Sequence, residues 1–196
     1  MVRVVERAVQ RAGNGNDAAL ALAKYTLAVA LFHRDAEADR DRALDLMLEF
    51  RDFTSERGPF LVPLAELWIA REQRRGGDRD AAIAAMREAV DEMLEIGQIF
   101  YGVWGLGVLV ETLLAGDVGD ELAEAQKLID RLADLAAQQD SAMLDITLLR
   151  LRALMAQARR DYVAFRRLAD RYRAMAESLG FEGHIAWAEA MVASGD

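Results

Sequence analysis

Cysteine is absent from the 196 residues, so the chain can hold no disulfide framework, no thiolate metal site and no cysteine nucleophile. That composition fits a reducing, cytoplasmic setting. Proline occurs only as Pro59 and Pro63, while the strong helix formers Ala, Leu, Glu, Arg and Met fill most of the chain, which argues against a sheet protein. Lysine is also scarce: Lys24 and Lys127 are the two among 24 basic residues. Neither follows the glycines of a phosphate-binding GxxxxGK[ST] loop, so that motif is missing. The two histidines, His33 and His184, have no second histidine at i+4 and no carboxylate at ligand spacing on the same helix face, so no metal is expected. Long apolar runs are lacking too. The most apolar window, Ile96 to Val110, is 15 residues long and uncharged, short of the roughly 20 that cross a bilayer. The N-terminal MVRVVERAVQRAG alternates charge with small apolar residues and reads as an amphipathic helix, with neither the apolar core nor the cleavage site of a secretory signal.

What the chain does have is apolar content, 53% of residues, enough for a sizeable core, and a net charge of −9. The acid is concentrated: residues 1–140 hold 16 Lys/Arg against 26 Asp/Glu, and residues 141–196 hold 8 against 7. Such a surface repels phosphate backbones and argues against non-specific nucleic-acid binding. The pattern of apolar residues predicts an all-α fold of about ten helices with a repeat near 40 residues. A small residue followed four places on by a larger apolar one recurs as Ala43/Met47, Ala82/Met86, Ala125/Ile129 and Ala164/Leu168, at spacings of 39, 43 and 39. Each pair lies in a one-sided amphipathic helix. Ahead of each stands a more evenly apolar helix: Asp17 to Phe32, Pro63 to Arg74, Ile99 to Leu114 and Ala142 to Ala158. A helix apolar on several sides is sandwiched between neighbours, and a one-sided helix forms an outer layer. Stacked helix pairs of this kind build a right-handed α-α superhelix with an inner groove.

Gly, Asn and Asp clusters punctuate the same plan. Breaks are expected at Gly13 to Asn16, Asp35 to Asp41, Gly58-Pro59, Gly76 to Asp78, Gly116 to Asp120, Asp140, Asp161 and Gly180 to Gly183. The chain then reads as one helical-repeat domain over 1–196. An orphan outer helix at 1–12 precedes pairs at 16–57, 59–97, 98–138 and 140–180, and a capping helix follows at 182–194. Residues Ala65 to Val90, with Ala70, the Gly77-Asp78 turn, Ala82, Met86 and Ala89, resemble the tetratricopeptide pattern of small-residue contacts. They depart from it in lacking the Trp, Gly, Tyr triplet and in exceeding its 34-residue period.

A second resemblance covers nearly the whole chain. ALALAKYTLAVALFHRD (Ala19 to Asp35), GVWGLGVLVETLLAGD (Gly102 to Asp117), LAEAQKLIDRLADL (Leu122 to Leu135) and YRAMAESLGFEGHIAWAEAM (Tyr172 to Met191) resemble the C-terminal helical region of large actinobacterial signalling proteins. There a class III adenylate cyclase or other output domain is joined to a P-loop ATPase module and then to such repeats. The resemblance implies a regulatory role in cis, with the metal-binding aspartates and nucleotide motifs in domains upstream of residue 1.

No catalytic residue, metal or cofactor is expected within these residues. Gly13 and Gly15 make half of a dinucleotide fingerprint without its strand, and Gly102, Gly105 and Gly107 sit in an apolar helix, where close packing explains them. Asp39/Asp41 and Asp78/Asp80 fall where helices begin, which is where carboxylates cap free amides. Candidate interaction residues are Arg71, Arg74 and Arg150, whose charge-assisted bonds suit an acidic peptide or anionic ligand. Glu111, the charge that interrupts the least polar helix, is either a groove residue or the partner of a nearby arginine. Tyr25 is expected to face the groove. The expected partners are a protein, a peptide or the attached domains of a parent protein, with no membrane contact. The leading expectation is therefore a non-catalytic region for protein interaction or regulation in cis. The alternative is a small-molecule-sensing repeat domain, whose mark is a deep mixed pocket; an enzyme requires clustered perturbed titratable groups.

Overall fold

The structure, a computed structural model, describes residues 2–12, 16–34, 36–116 and 119–193. Among them are ten α-helices and no strand: α1 (Val2–Ala12), α2 (Asp17–Phe32), α3 (Glu37–Arg57), α4 (Val62–Gly76), α5 (Arg79–Glu95), α6 (Ile99–Leu114), α7 (Gly119–Gln138), α8 (Ala142–Ala158), α9 (Tyr162–Leu179) and α10 (Glu182–Ala193), with a short 3₁₀ turn at Pro59–Leu61. The expected all-α fold of about ten helices is the observed one. The breaks expected at Gly13 to Gly15, Asp35 and Asp117-Val118, and the end of the last helix at Ser194, lie outside the described residues.

Local chemistry starts and stops these helices. The Asn16 side chain accepts from the Ala19 amide at 3.0 Å, Asp78 from the Asp80 and Ala81 amides at 3.0 and 3.1 Å, and Asp161 from the Ala164 amide at 3.0 Å. Each satisfies a donor that the first helical turn leaves free. Helix α9 ends at Gly180, in the left-handed conformation at φ 66°, while the Phe181 amide reaches back to the Ala176 carbonyl, as in a Schellman cap. The same closure follows α8, where the Asp161 amide bonds the Ala156 carbonyl, but the left-handed residue there is Arg160, at φ 59°.

Contacts gather the chain into two compact units, Met1–Gly105 and Leu106–Asp196, divided within α6. In the first unit α2 packs on α3 and α4 on α5, with α1 against α2. Its centre is aromatic. Trp68, wholly buried, stacks on Phe32 at 5.5 Å and meets Trp104 at 5.4 Å, and Tyr25 lies against Phe50 at 4.9 Å. In the second unit α7 packs on α8, α8 on α9 and α9 on α10, around Ile146, Ala153, Phe165, Ala169, Tyr172 and Ala188.

The two helix types expected from the apolar pattern differ in burial as they should. Helix α5 buries one stripe, Ala82, Ile83, Met86, Ala89, Val90 and Met93, whereas α2 and α8 bury residues on several sides. Ala43, Ala82 and Ala125 are buried. Ala164 and Leu168 are only half-buried, because α9 turns Phe165, Ala169, Tyr172 and Ala176 inward instead. The register slips by one residue there because Phe165 and Tyr172 bring more apolar area to the core than Ala164 does.

Candidate interaction surfaces

In the first unit the expected residues fall into two environments. Arg71 sits half-buried on α4, its guanidinium over the Trp68 ring at 5.0 Å from the centroid. Arg74 follows one turn later on the same helix and is also half-buried, since residues three apart share a helix face. Near the supporting Trp68 ring, Trp104 is half-buried, as is Tyr101 one turn before it on α6. A guanidinium supported by an aromatic face keeps its edge donors in a fixed fork, suited to a carboxylate.

Tyr25 is placed differently from the expectation. It is buried in the core, between Phe50 and the edge of Trp104, and does not face solvent. Burial pushes its hydroxyl pKa far above the ordinary value, an effect that the Trp68 indole partly offsets. The two groups nevertheless fall short of hydrogen-bond geometry, and both the Tyr25 hydroxyl and the Trp68 N–H are buried without a partner. A period-3.6 pattern identifies an inward aromatic but does not say how deep it goes, which is why Tyr25 read as a groove residue.

The first unit also carries an open groove of about 750 Å³ between the start of α3, the end of α4 and the start of α5. Its lining is charged. The Glu72 side chain, 10% exposed, lies 3.9 Å from Arg40 and 3.5 Å from Arg75, while Glu37 and Asp41 line the exposed side. Asp78, also in the lining, is occupied as the cap of α5. Of these, Asp41 and Asp78 read in the sequence as helix-start carboxylates, and no spacing rule joins them to Glu72.

In the second unit Arg150 and Glu111 come together. Arg150 on α8, its side chain 12% exposed, forms a close ion pair with Glu111 on α6, which is 32% exposed. The same guanidinium lies 4.6 Å from the centroid of Trp187 on α10. Glu111 is thus the partner of a nearby arginine, one of the two roles expected for it. Beside this group, the Tyr172 hydroxyl and His184 Nδ1 are 2.8 Å apart, and the His184 ring is flanked by Tyr172, Phe181 and Trp187 at 5.7, 6.0 and 5.3 Å. Burial, and then the Arg150 charge, lower the His184 pKa from 6.5 to about 4. Burial raises that of Tyr172 well above its ordinary value, with Arg150 opposing. The histidine and tyrosine therefore face each other neutral at pH 7.

The sequence held one weak sign of this cluster, a lone histidine in a mostly apolar helix, and no spacing rule pairs residues 172 and 184. Among the described residues no group of three or more His, Asp or Glu side chains is arranged to hold a metal ion, and no helix is long and apolar enough to cross a membrane. No family model and no curated protein matches the chain.

Proposed function

We propose that this chain is a non-catalytic helical-repeat region that binds a protein or peptide segment, or the neighbouring domains of a larger ATPase- or cyclase-type signalling protein, and so regulates that protein in cis. The observation that carries this reading is Arg71 lying over Trp68 in the first unit, with Arg74 half-buried one turn along the same helix and the half-buried Trp104 against Trp68. Trp, Tyr and Arg are the residue types on which binding energy concentrates, provided that they are ordered before the partner arrives. Stacked helix pairs supply that order, because each pair buries its apolar face on the next. In this reading a partner's carboxylates meet the arginines and an apolar side chain rests against Trp104. Arg150 belongs to the second unit, where its guanidinium meets Glu111 and Trp187.

The test is selection of a random displayed peptide library on the immobilised chain, followed by titration of the enriched peptides. Acidic peptides with an aromatic or aliphatic anchor should be enriched. Arg71→Lys combined with Arg74→Ala should weaken them by about tenfold or more, as for loss of a central binding residue, with unchanged helicity. Enrichment of no sequence, or equal affinity in the double variant, would reject the reading.

A further inference from the structure

The aromatic and charged cluster of the second unit has a property that an interaction surface does not need. His184 is placed so that a proton on it is opposed by burial and by the nearby Arg150 charge. On its own helix the ring's neighbour is Trp187; from the preceding turn comes Phe181; from α9 comes the Tyr172 hydroxyl. The charged groups acting here are Arg150 from α8 and, bound to it, Glu111 from α6. Glu111, the carboxylate that meets this group, is already paired with the arginine, while Glu182 and Glu189 lie on α10 itself. A second cation at His184 would be added next to Arg150, in a partly desolvated site with three aromatic rings around it.

We infer that His184 is a proton-controlled latch for α10: the neutral ring holds α10 against α9 through Tyr172, and its protonation releases the helix. Three observations other than the histidine's own titration support this. The 2.8 Å contact between Tyr172 and His184 ties α10 to α9 by side chains. The Trp187–Arg150 contact ties α10 to α8 through a cation whose repulsion with a protonated His184 acts on the same helix. Helix α10 fully buries only Ala188 and Met191, with Ile185 and Val192 partly buried against the same core, so the apolar burial that resists release is modest for a terminal helix.

The direction follows from linkage. Burial and Arg150 lower the proton affinity of His184 in the docked state, to about 4 from 6.5. The released ring, back in water, regains its ordinary affinity. Docking is therefore favoured most above the released value and is lost progressively as pH falls from there toward the docked value.

Hydrogen exchange of the whole chain, corrected for intrinsic exchange rates, reads this directly. Between about pH 7 and about pH 5 the opening equilibrium of α10 amides should rise about tenfold, as expected when the two states differ by more than one pK unit, while α8 amides stay constant. His184→Gln should remove the pH dependence. If that substitution alone loosens α10, the histidine's own titration, followed by ring-proton resonance in the unaltered chain, serves instead and should lie well below 6.5. The inference is overturned if α10 opening is independent of pH, if α8 opens in parallel, if the variant keeps the dependence, or if the ring titrates at its ordinary value.

Discussion

At the scale of single residues, Tyr25 and the glycines of α6 show what an apolar pattern can and cannot convey. The aromatic positions at helical spacing identified the core of the first unit, but Tyr25 sits deeper than its pattern suggested and leaves its hydroxyl unpaired. An unsatisfied buried hydroxyl costs about 1–3 kcal/mol. Tyr25→Phe should therefore hold or raise stability, by up to about 1 kcal/mol in urea denaturation; a loss of that size would show that the hydroxyl has a partner. Close packing was the reading for Gly102, Gly105 and Gly107, and it applies to two of the three. A Cβ on Gly102 would meet Leu94 at 2.4 and 2.7 Å, and one on Gly105 would meet Met93 at 2.8 Å, whereas one on Gly107 meets only ordinary contacts from 3.8 Å. Alanine brings about 1 kcal/mol of helix propensity at any of these sites, so Gly107→Ala should stabilise by roughly that amount. In Gly102→Ala the gain is outweighed by crowding worth about 1–3 kcal/mol. Thermal melts of the two variants should move in opposite directions.

At the scale of elements, the agreement is closest where several signals coincide. Helices α2, α6 and α8 begin and end on the residues at which the apolar runs begin and end, and α10 begins where its glycine turn placed it. Asp78 and Asp161 cap as their positions before apolar runs implied. The harder elements are those whose determinants are tertiary. The inward face of α9 depends on whether Ala164 or Phe165 meets the core, which only packing decides, and the charged groove at α3, α4 and α5 depends on how three successive helices pack, which brings the start of α3 to the end of α4. The turn after α8 ends in a left-handed conformation without a glycine to accept it. Arg160 is exposed at φ 59°, and a non-glycine there costs about 1–2 kcal/mol, of which glycine's larger unfolded-state entropy takes back some 0.4–1. Arg160→Gly should thus raise the denaturation midpoint by about 0.5–1 kcal/mol in equivalent free energy. A lower midpoint would mean that the arginine side chain contributes more than its backbone costs.

For the molecule as a whole, composition and repeat pattern were enough for fold class, because 53% apolar residues in a 3.6-residue rhythm without strand signals have few other ways to bury themselves. The proposed partner surface was legible only as residue types. Arg71 and Arg74 were recognisable as a shared face, and Glu111 as a groove residue or the partner of some arginine, but the support of Arg71 by Trp68, the pairing of Glu111 with Arg150 and the engagement of Arg150 by Trp187 arise from the fold. Function therefore turns on whether the first unit's cationic and aromatic surface is where a partner lands. The direct measurement is resonance mapping of the labelled chain during titration with a peptide selected on it. The account expects shifts centred on the Trp104 indole, Tyr101 and the Arg71 and Arg74 side chains, with the second unit's Arg150 unmoved. Shifts confined to other residues, or none at saturating peptide, would contradict it.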